Sequence, residues 1–535
     1  MTSWAGRLGI KTSAASQGEF RFLGMRSQTL ISVVLFLLSI LAAWPAAQWI
    51  SAGQTKMLMF AGMGLVLGAI ALTILKSWRM GFYLFIVWLL FEDLIRKYLG
   101  NNMAIYFAKD VLAGLTYVSL FIAIRGGRAK SFRPPFLLFF AFFFWLAVLE
   151  MFNPYSPSVL YGILGIKFYF YYMPLMFVGY ALIRDDRDLW RFLIVLMTLA
   201  GVISALGIIQ AVVGPTFLNP ATLARDIQQS ASLEKVTPLT NQIFLLPSSV
   251  FVSTGRFALF LVLATIVGLG AAGYFILSRL RRRKTILAGI GLIAVAVLLS
   301  GSRTAFMYSL ISTCALTVAY LWGAPVGGGE GRRLMKAIRR SVMFAAVALA
   351  IFVAFFPSAA ASRFGFYSET LVPGSSSYQL SDRTWSYPVG ELLKAFSNSH
   401  WAVGNGTGTA SLGGQYLSKL AGPSNIGVEE GYGTLILEMG ILAPFLWILW
   451  TAALLRSSWK VVRALKHTRL FPIAMAILWY AFAILYPLTY LGIDIYENFV
   501  NNAFLWILVG ILFRLPDFAT AAPAPEIMAA GTIRT

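Results

Sequence analysis

Residues 285–322 read TILAGIGLIAVAVLLSGSRTAFMYSLISTCALTVAYLW. Two apolar runs, each long enough to cross a bilayer core as a helix, meet at Gly301-Ser302-Arg303. A guanidinium tolerates so tight a hinge only where its charge can reach an interface or a partner. Similar windows recur from end to end, at roughly 28–50, 57–75, 80–95, 108–124, 135–152, 158–183, 191–214, 254–278, 285–301, 304–323, 341–359, 428–455, 470–489 and 496–513. Hydrophobic residues make up 59% of the chain, charged residues 12%, and the mean hydropathy is +0.75. Soluble domains carry roughly twice that charged fraction. In lipid every backbone polar group needs an internal partner, so apolar windows of this length are helices. The expectation is an all-α polytopic membrane protein of about 14 transmembrane helices.

The net charge of +22 would suit nucleic acid, but its placement argues otherwise. With a cytoplasmic N-terminus, the compact clusters RGGRAKSFR (125–133), RLRRRK (279–284), GRRLMKAIRR (331–340) and RSSWKVVRALKHTR (456–469) all fall on one side. That is the positive-inside bias of an inner-membrane protein with both termini cytoplasmic, and no nucleic-acid partner is expected. The first span, followed by AAWPAAQ at 42–48, reads as a retained helix, because cleavage there would spoil the bias. The single cysteine, Cys314, lies within a span and excludes intrachain disulfides.

The predicted organisation is a tail (1–27), a bundle of about 11 helices (28–359), a large periplasmic loop (360–427), three further helices (428–513) and a second tail (514–535). A shorter outer loop covers about 215–253. Loops longer than about 15 residues usually carry function. In the larger one, Ser381-Asp382 can cap a short helix through RTWSYPVGELLKAF, and GNGTGTASLGG (404–414) reads as a flexible glycine-rich segment. No strand precedes that segment and no Gly-Lys-Ser/Thr follows, which excludes a phosphate loop.

Ionisable groups at the outer ends of spans are the candidates for chemistry. Arg303 either anchors a helix end by snorkelling or uses its planar fork of donors to hold a phosphate. Arg256 and Lys167 admit the same two readings, with a structural ion pair added. Lys109 and Asp110 read as structural, neutralised with Glu92 or Asp93 nearby. Arg383 lies just inside the loop helix. Glu429 and Glu430 begin the span at 428 and are either helix-dipole partners or a general base. Arg363 and Tyr432 complete the predicted substrate contacts. With only His400 and His467 and no HExxH, a metal site is not expected, nor is any cofactor.

Three stretches taken together resemble the superfamily of O-antigen ligases and Wzy-type polysaccharide polymerases. SGSRTAF (300–306) is similar to its Ser-Arg motif between two helices. DRTWSYPVGELLKAFSNSHWAVGNGTGTAS (382–411) resembles its Arg-x-x-Trp helix and Gly-x-Gly turn. EEGYGTLILEMGILA (429–443) resembles the segment written as His-Asn, apolar residues, then Leu-x-Glu-x-Gly. The similarity spans roughly residues 250 to 455.

The resemblance implies a metal-independent glycosyltransferase of the membrane-embedded C type, acting on undecaprenyl-diphosphate-linked oligosaccharide at the outer face. It places Arg303 and Arg383 on the diphosphate and Glu429 or Glu430 as base. Glu429 stands where the family has histidine, a departure that favours an exopolysaccharide or O-antigen polymerase over a ligase acting on lipid A core or protein. Membrane lipid and a chain-length-regulating protein are the further partners it admits. A secondary transporter or flippase is the rival from another class.

Overall fold

The computed structural model describes residues 68–99, 103–220, 233–236, 243–278, 280, 283–323, 357–371, 382–411 and 427–519, with isolated positions between 336 and 355. Met1–Thr73 and Ile74–Thr535 are separate compact units. In the first, residues 68–73 are helical; the predicted span at 28–50 and most of that at 57–75 lie outside the described residues, as do the tail beyond 519 and much of 341–359. The remaining described residues belong to the second unit.

Its elements in chain order are α1 Trp78–Leu99, α2 Met103–Arg125, α3 Leu137–Glu150, α4 Val159–Phe170, α5 Leu175–Leu182 and α6 Asp186–Val213. A small hairpin, β1 Glu234–Val236 and β2 Ile243–Leu245, pairs antiparallel with Lys235 opposite Phe244. Then come α7 Thr254–Leu277, α8 Arg283–Leu299, α9 Arg303–Gly323, α10 Pro357–Leu371 and α11 Tyr387–Phe396. The last group is α12 Gly431–Met439, α13 Leu442–Ala464, α14 Phe471–Ala483, α15 Thr489–Leu491, α16 Ile493–Glu497, α17 Phe499–Arg514 and α18 Pro516–Ala519. Among the described residues, seven helical stretches are long and apolar enough to cross a membrane. The fold is all-α apart from the hairpin, which the reading of 215–253 as a plain loop does not foresee.

Several predicted spans are broken. The one at 158–183 is two helices separated at Tyr171–Pro174, where Pro174 precedes α5. The one at 428–455 breaks at Gly440, whose φ of 74° ends α12. At 484–488 a π-helical turn containing Pro487 interrupts the run after α14, because proline supplies no amide to the ladder. Hydropathy stays high through each break, so periodicity alone does not reveal them.

The centre is aromatic. Phe140 and Phe143 of α3 meet Trp450 edge-on at 5.2 Å and Trp447 at 5.4 Å, and Trp506 of α17 stacks on Trp450 at 6.0 Å. α17 is buried on all sides, whereas α9 exposes Leu310, Val318 and Leu321, as a peripheral helix facing lipid does.

α5 and α17 cross at backbone contact. A Cβ on Gly179 would lie 2.2 Å from the Ile507 carbonyl oxygen, and one on Gly510 would lie 2.0 Å from that of Met176. Small residues at such crossings let helices associate where apolar burial gives no advantage over lipid. Gly510→Leu is expected to cost about 3 kcal/mol or more through forced separation, seen as a lowered Tm in detergent. Gly201→Leu, where a Cβ meets nothing within 4 Å, serves as the neutral control; equal Tm values for the two variants contradict the close crossing.

Candidate functional site

The Gly301 hinge has a local cause. α8 ends at Leu299, leaving its last carbonyls without helical partners. Ser300 Oγ donates to Val297 O (2.7 Å), Tyr367 Oη to Leu298 O (3.2 Å), and Arg363 Nε to Leu299 O (3.2 Å). Gly301 then turns with φ of 63°, and a Cβ there would strike Leu246 and Phe244 at 2.6 Å. The Ser302 hydroxyl accepts the Ala305 N–H (3.3 Å), capping α9 and leaving Arg303 as its first residue.

Arg303 faces a cavity of about 650 Å³. From α9 the wall takes Arg303, Thr304, Met307, Tyr308 and Ile311, one helical stripe running about 12 Å from the charged end to an apolar one. Across from it stand Glu429, Tyr490 and Leu491, with Thr384, Tyr387 and Pro388 contributed by the loop segment and Thr254 and Gly255 by the start of α7. The hairpin adds Lys235. Lys235 Nζ lies 5.0 Å and Arg303 Cζ 4.5 Å from the centroid of the Phe366 ring, so one aromatic ring of α10 meets two cavity-lining cations.

The other predicted residues separate into distinct places. Glu429 lines the cavity and is exposed, and its N–H donates to Glu391 Oε2 (3.1 Å). Glu430 is buried and caps α12, accepting from Tyr432 N (2.9 Å) and Gly433 N. Tyr432 sits one ring behind the wall, 6.5 Å from cavity-lining Tyr490. The backbone of Arg383 belongs to a π-helical turn, Asp382–Ser386, beside cavity-lining Thr384; its side chain lies outside the described residues. Arg363 is buried at 5% exposure, donates to Leu245 O (2.8 Å) as well as Leu299 O, and stacks over Phe244 at 4.1 Å. It therefore braces the hairpin against the hinge. Burial lowers its pKa to about 10, a pull partly opposed by Tyr367.

Arg256 and Lys167 are not among the cavity-lining residues. They join an ionic cluster buried between helices. Arg256 forks onto Asp93 at 2.9 and 3.1 Å, Lys167 pairs with Asp110 at 2.7 Å, Lys109 with Glu92 at 3.0 Å, and Arg96 with Asp93 at 3.1 Å. Lys97 donates to Ser249 O (2.8 Å) and Ser248 Oγ (3.0 Å). Lys109 and Asp110 thus pair crosswise with other helices rather than with each other. The cluster bears on the site indirectly. Asp93 also accepts the Val252 N–H (3.3 Å), so it fixes the segment whose Thr254 and Gly255 form cavity wall.

The glycine-rich segment is docked, not loose. Asn405 N donates to Leu437 O (2.8 Å), Thr407 Oγ1 to Ala147 O (2.8 Å), and the Ala410 and Ser411 amides to Glu438 Oε1 (3.1 and 2.8 Å). Tyr169 Oη donates to the same carboxylate (3.0 Å).

Sequence reasoning missed Lys235, which stands in a polar loop with no apolar run beside it, and the tyrosines Tyr308 and Tyr490, which read as ordinary span residues. Among the described residues, no group of three or more His, Cys, Asp or Glu side chains converges to hold a metal ion. In comparisons with known proteins, no family model and no curated protein matches the chain.

Proposed function

We propose that the chain is a polysaccharide polymerase of a bacterial inner membrane, joining undecaprenyl-diphosphate-linked oligosaccharide repeats at the periplasmic face. The observation that carries this reading is the cavity in which Arg303 and Lys235 share the Phe366 ring while Glu429 stands in the wall. In the step envisaged, an acceptor hydroxyl oxygen bonds to the anomeric carbon of the donor sugar, the bond from that carbon to the diphosphate oxygen breaks, and the acceptor proton passes to Glu429. Negative charge grows on the departing lipid diphosphate, where guanidinium and ammonium groups fixed before the reaction stabilise it most. The apolar end of the α9 stripe suits the first units of a polyprenyl chain. Fourteen spans, a periplasmic loop and cytoplasmic termini belong to this proposal.

The decisive experiment adds purified protein in proteoliposomes to a defined lipid-linked repeat without an ion gradient. Lengthening glycan on lipid supports the polymerase, whereas a single transfer to lipid A core supports a ligase. One observation favours a second reading, a transporter or flippase: the proline-interrupted helix end lines the cavity through Pro487. Movement of intact substrate across the bilayer with no new glycosidic bond would establish that reading instead.

The two glutamates separate by position. Glu429→Gln is expected to slow elongation about 10²-fold or more, the usual worth of a positioned base, with thermal stability unchanged. Glu430→Ala removes a helix cap and is expected to cost about 1 kcal/mol of stability with activity per folded molecule largely kept. Full activity in Glu429→Gln removes it as the base.

A further inference from the structure

The loop helix α11 and the turn after it expose an apolar face. On one side Pro388, Glu391 and Ala395 are buried, with Ala395 packed on Ile436 and Leu437 of α12. On the other, Trp385 is 71% exposed, Leu393 61%, and Phe396, Trp401 and Val403 are exposed too. Phe396 and Trp401 touch at 5.5 Å between ring centroids, forming one aromatic surface rather than scattered residues. Exposed side chains of this size on a solvated loop are an aggregation liability, so their occupant needs an account.

The surroundings identify it. The Ile441 N–H donates to Ala402 O (3.3 Å), and Gly440 lies so close that a Cβ would sit 2.4 Å from the same oxygen. Residues 401–403 therefore abut the head of α13. There Ile441, Leu442, Phe445 and Ile448 are exposed at helical spacing, the pattern of a helix facing lipid. On the other flank His400 stacks on Tyr155 at 3.8 Å, in the turn between α3 and α4, where Phe152 is exposed, as are Leu160 and Ile163 at the start of α4. The apolar face of the loop thus continues the bilayer-facing surfaces of two neighbouring membrane helices. Aromatic side chains favour the depth where hydrocarbon meets headgroups. Lys394 is exposed beside these residues, and its ammonium pairs with Glu391.

We propose that the apolar face of residues 385–403, and not its polar side, lies in the interface of the outer leaflet, with α11 as a surface-seated amphipathic helix covered on that face by the lipid bilayer itself. Because Tyr387 and Pro388 at the head of α11 also line the cavity, the membrane holds one wall of the candidate site. The proposal concerns placement and stands whether or not the chain is a polymerase.

Spin labels test it. In the full chain with Cys314→Ser, single cysteines at Leu393, Phe396 and Val403, with Ser399 as the exposed polar control, are labelled with nitroxide and reconstituted into phosphatidylethanolamine–phosphatidylglycerol vesicles. The ratio of collisions with oxygen to collisions with a neutral nickel chelate is expected to be severalfold higher at the three apolar positions than at Ser399. Equal ratios put the face in water and overturn the proposal. Exclusion of both reagents, the mark of a covering protein or second copy, also overturns it. Trp385→Phe/Trp401→Phe provides a check without labels: quenching of tryptophan fluorescence by dibrominated lipid should fall relative to the parent, and unchanged quenching counts against the proposal.

Discussion

Arg303→Ala is expected to slow glycan elongation about 10²–10³-fold in reconstituted protein, the range seen when one preorganised stabiliser of a developing negative charge is removed. Abundance and Tm should stay near the parent's, because the Ser302 cap and the Gly301 turn that shape the hinge do not use the guanidinium. Arg303→Lys keeps the charge but loses the planar fork, and should recover only part of the rate. Lys235→Ala should fall between the two, since its ammonium also lies over the Phe366 ring. Arg256→Ala is the informative contrast. It breaks a buried pair with Asp93, which keeps Arg96 as a second partner, so the cost stays below the about 3–5 kcal/mol of a fully stranded charge and the main signature is a lowered Tm. Normal polymer length in Arg303→Ala at normal abundance would refute the proposed role.

That contrast also marks how far the sequence could be read. Arg303, Arg256 and Lys167 look alike on paper, each a cation in or beside an apolar run. Their fates diverge because Asp93 and Asp110, carboxylates on α1 and α2, meet Arg256 and Lys167 respectively, and pairing between helices is a tertiary fact. Arg303 meets the aromatic ring of Phe366, supplied by α10. Helix limits were legible where hydropathy and capping change together: a span predicted at 254–278 is the helix Thr254–Leu277, with Ser253 as its cap, and 304–323 is Arg303–Gly323. They were illegible at Tyr171–Pro174, Gly440 and Ile484–Leu488, where the composition stays apolar while the backbone breaks. Glu429 and Glu430 are neighbours with one chemistry, and only the direction of α12 decides which carboxylate caps the helix and which lines the cavity.

The second large effect concerns Glu438, fully buried in α12. One carboxylate oxygen accepts the amides of Ala410 and Ser411, and the other accepts the Tyr169 hydroxyl. Glu438→Ala strands two buried donors and one half-buried one, at about 1–3 kcal/mol for each buried group, and the chain's cheapest relief is to release the glycine-rich loop into water. Glu438→Gln keeps an oxygen for the two amides, and its NH₂ can donate to the tyrosine oxygen, so it should cost about 1 kcal/mol. Amide hydrogen exchange over residues 405–411 is the direct readout, with protection lost in the alanine variant and largely kept in the glutamine variant. Equal protection in Glu438→Ala and parent would show that the loop is held without the carboxylate. The loop cannot simply settle nearby, because its docking is close-fitting: Gly408 has φ of 81°, and a Cβ there would lie 2.2 Å from the Tyr161 carbonyl oxygen. Release should also reach the cavity. The loop follows α11 directly, and α11 shares the small Ala395–Ile436–Leu437 core with α12 while presenting Tyr387 and Pro388 to the site. Under the proposed function, elongation is therefore expected to fall in Glu438→Ala though Glu438 does not line the cavity, and to survive in Glu438→Gln, which separates a latch from a catalytic carboxylate.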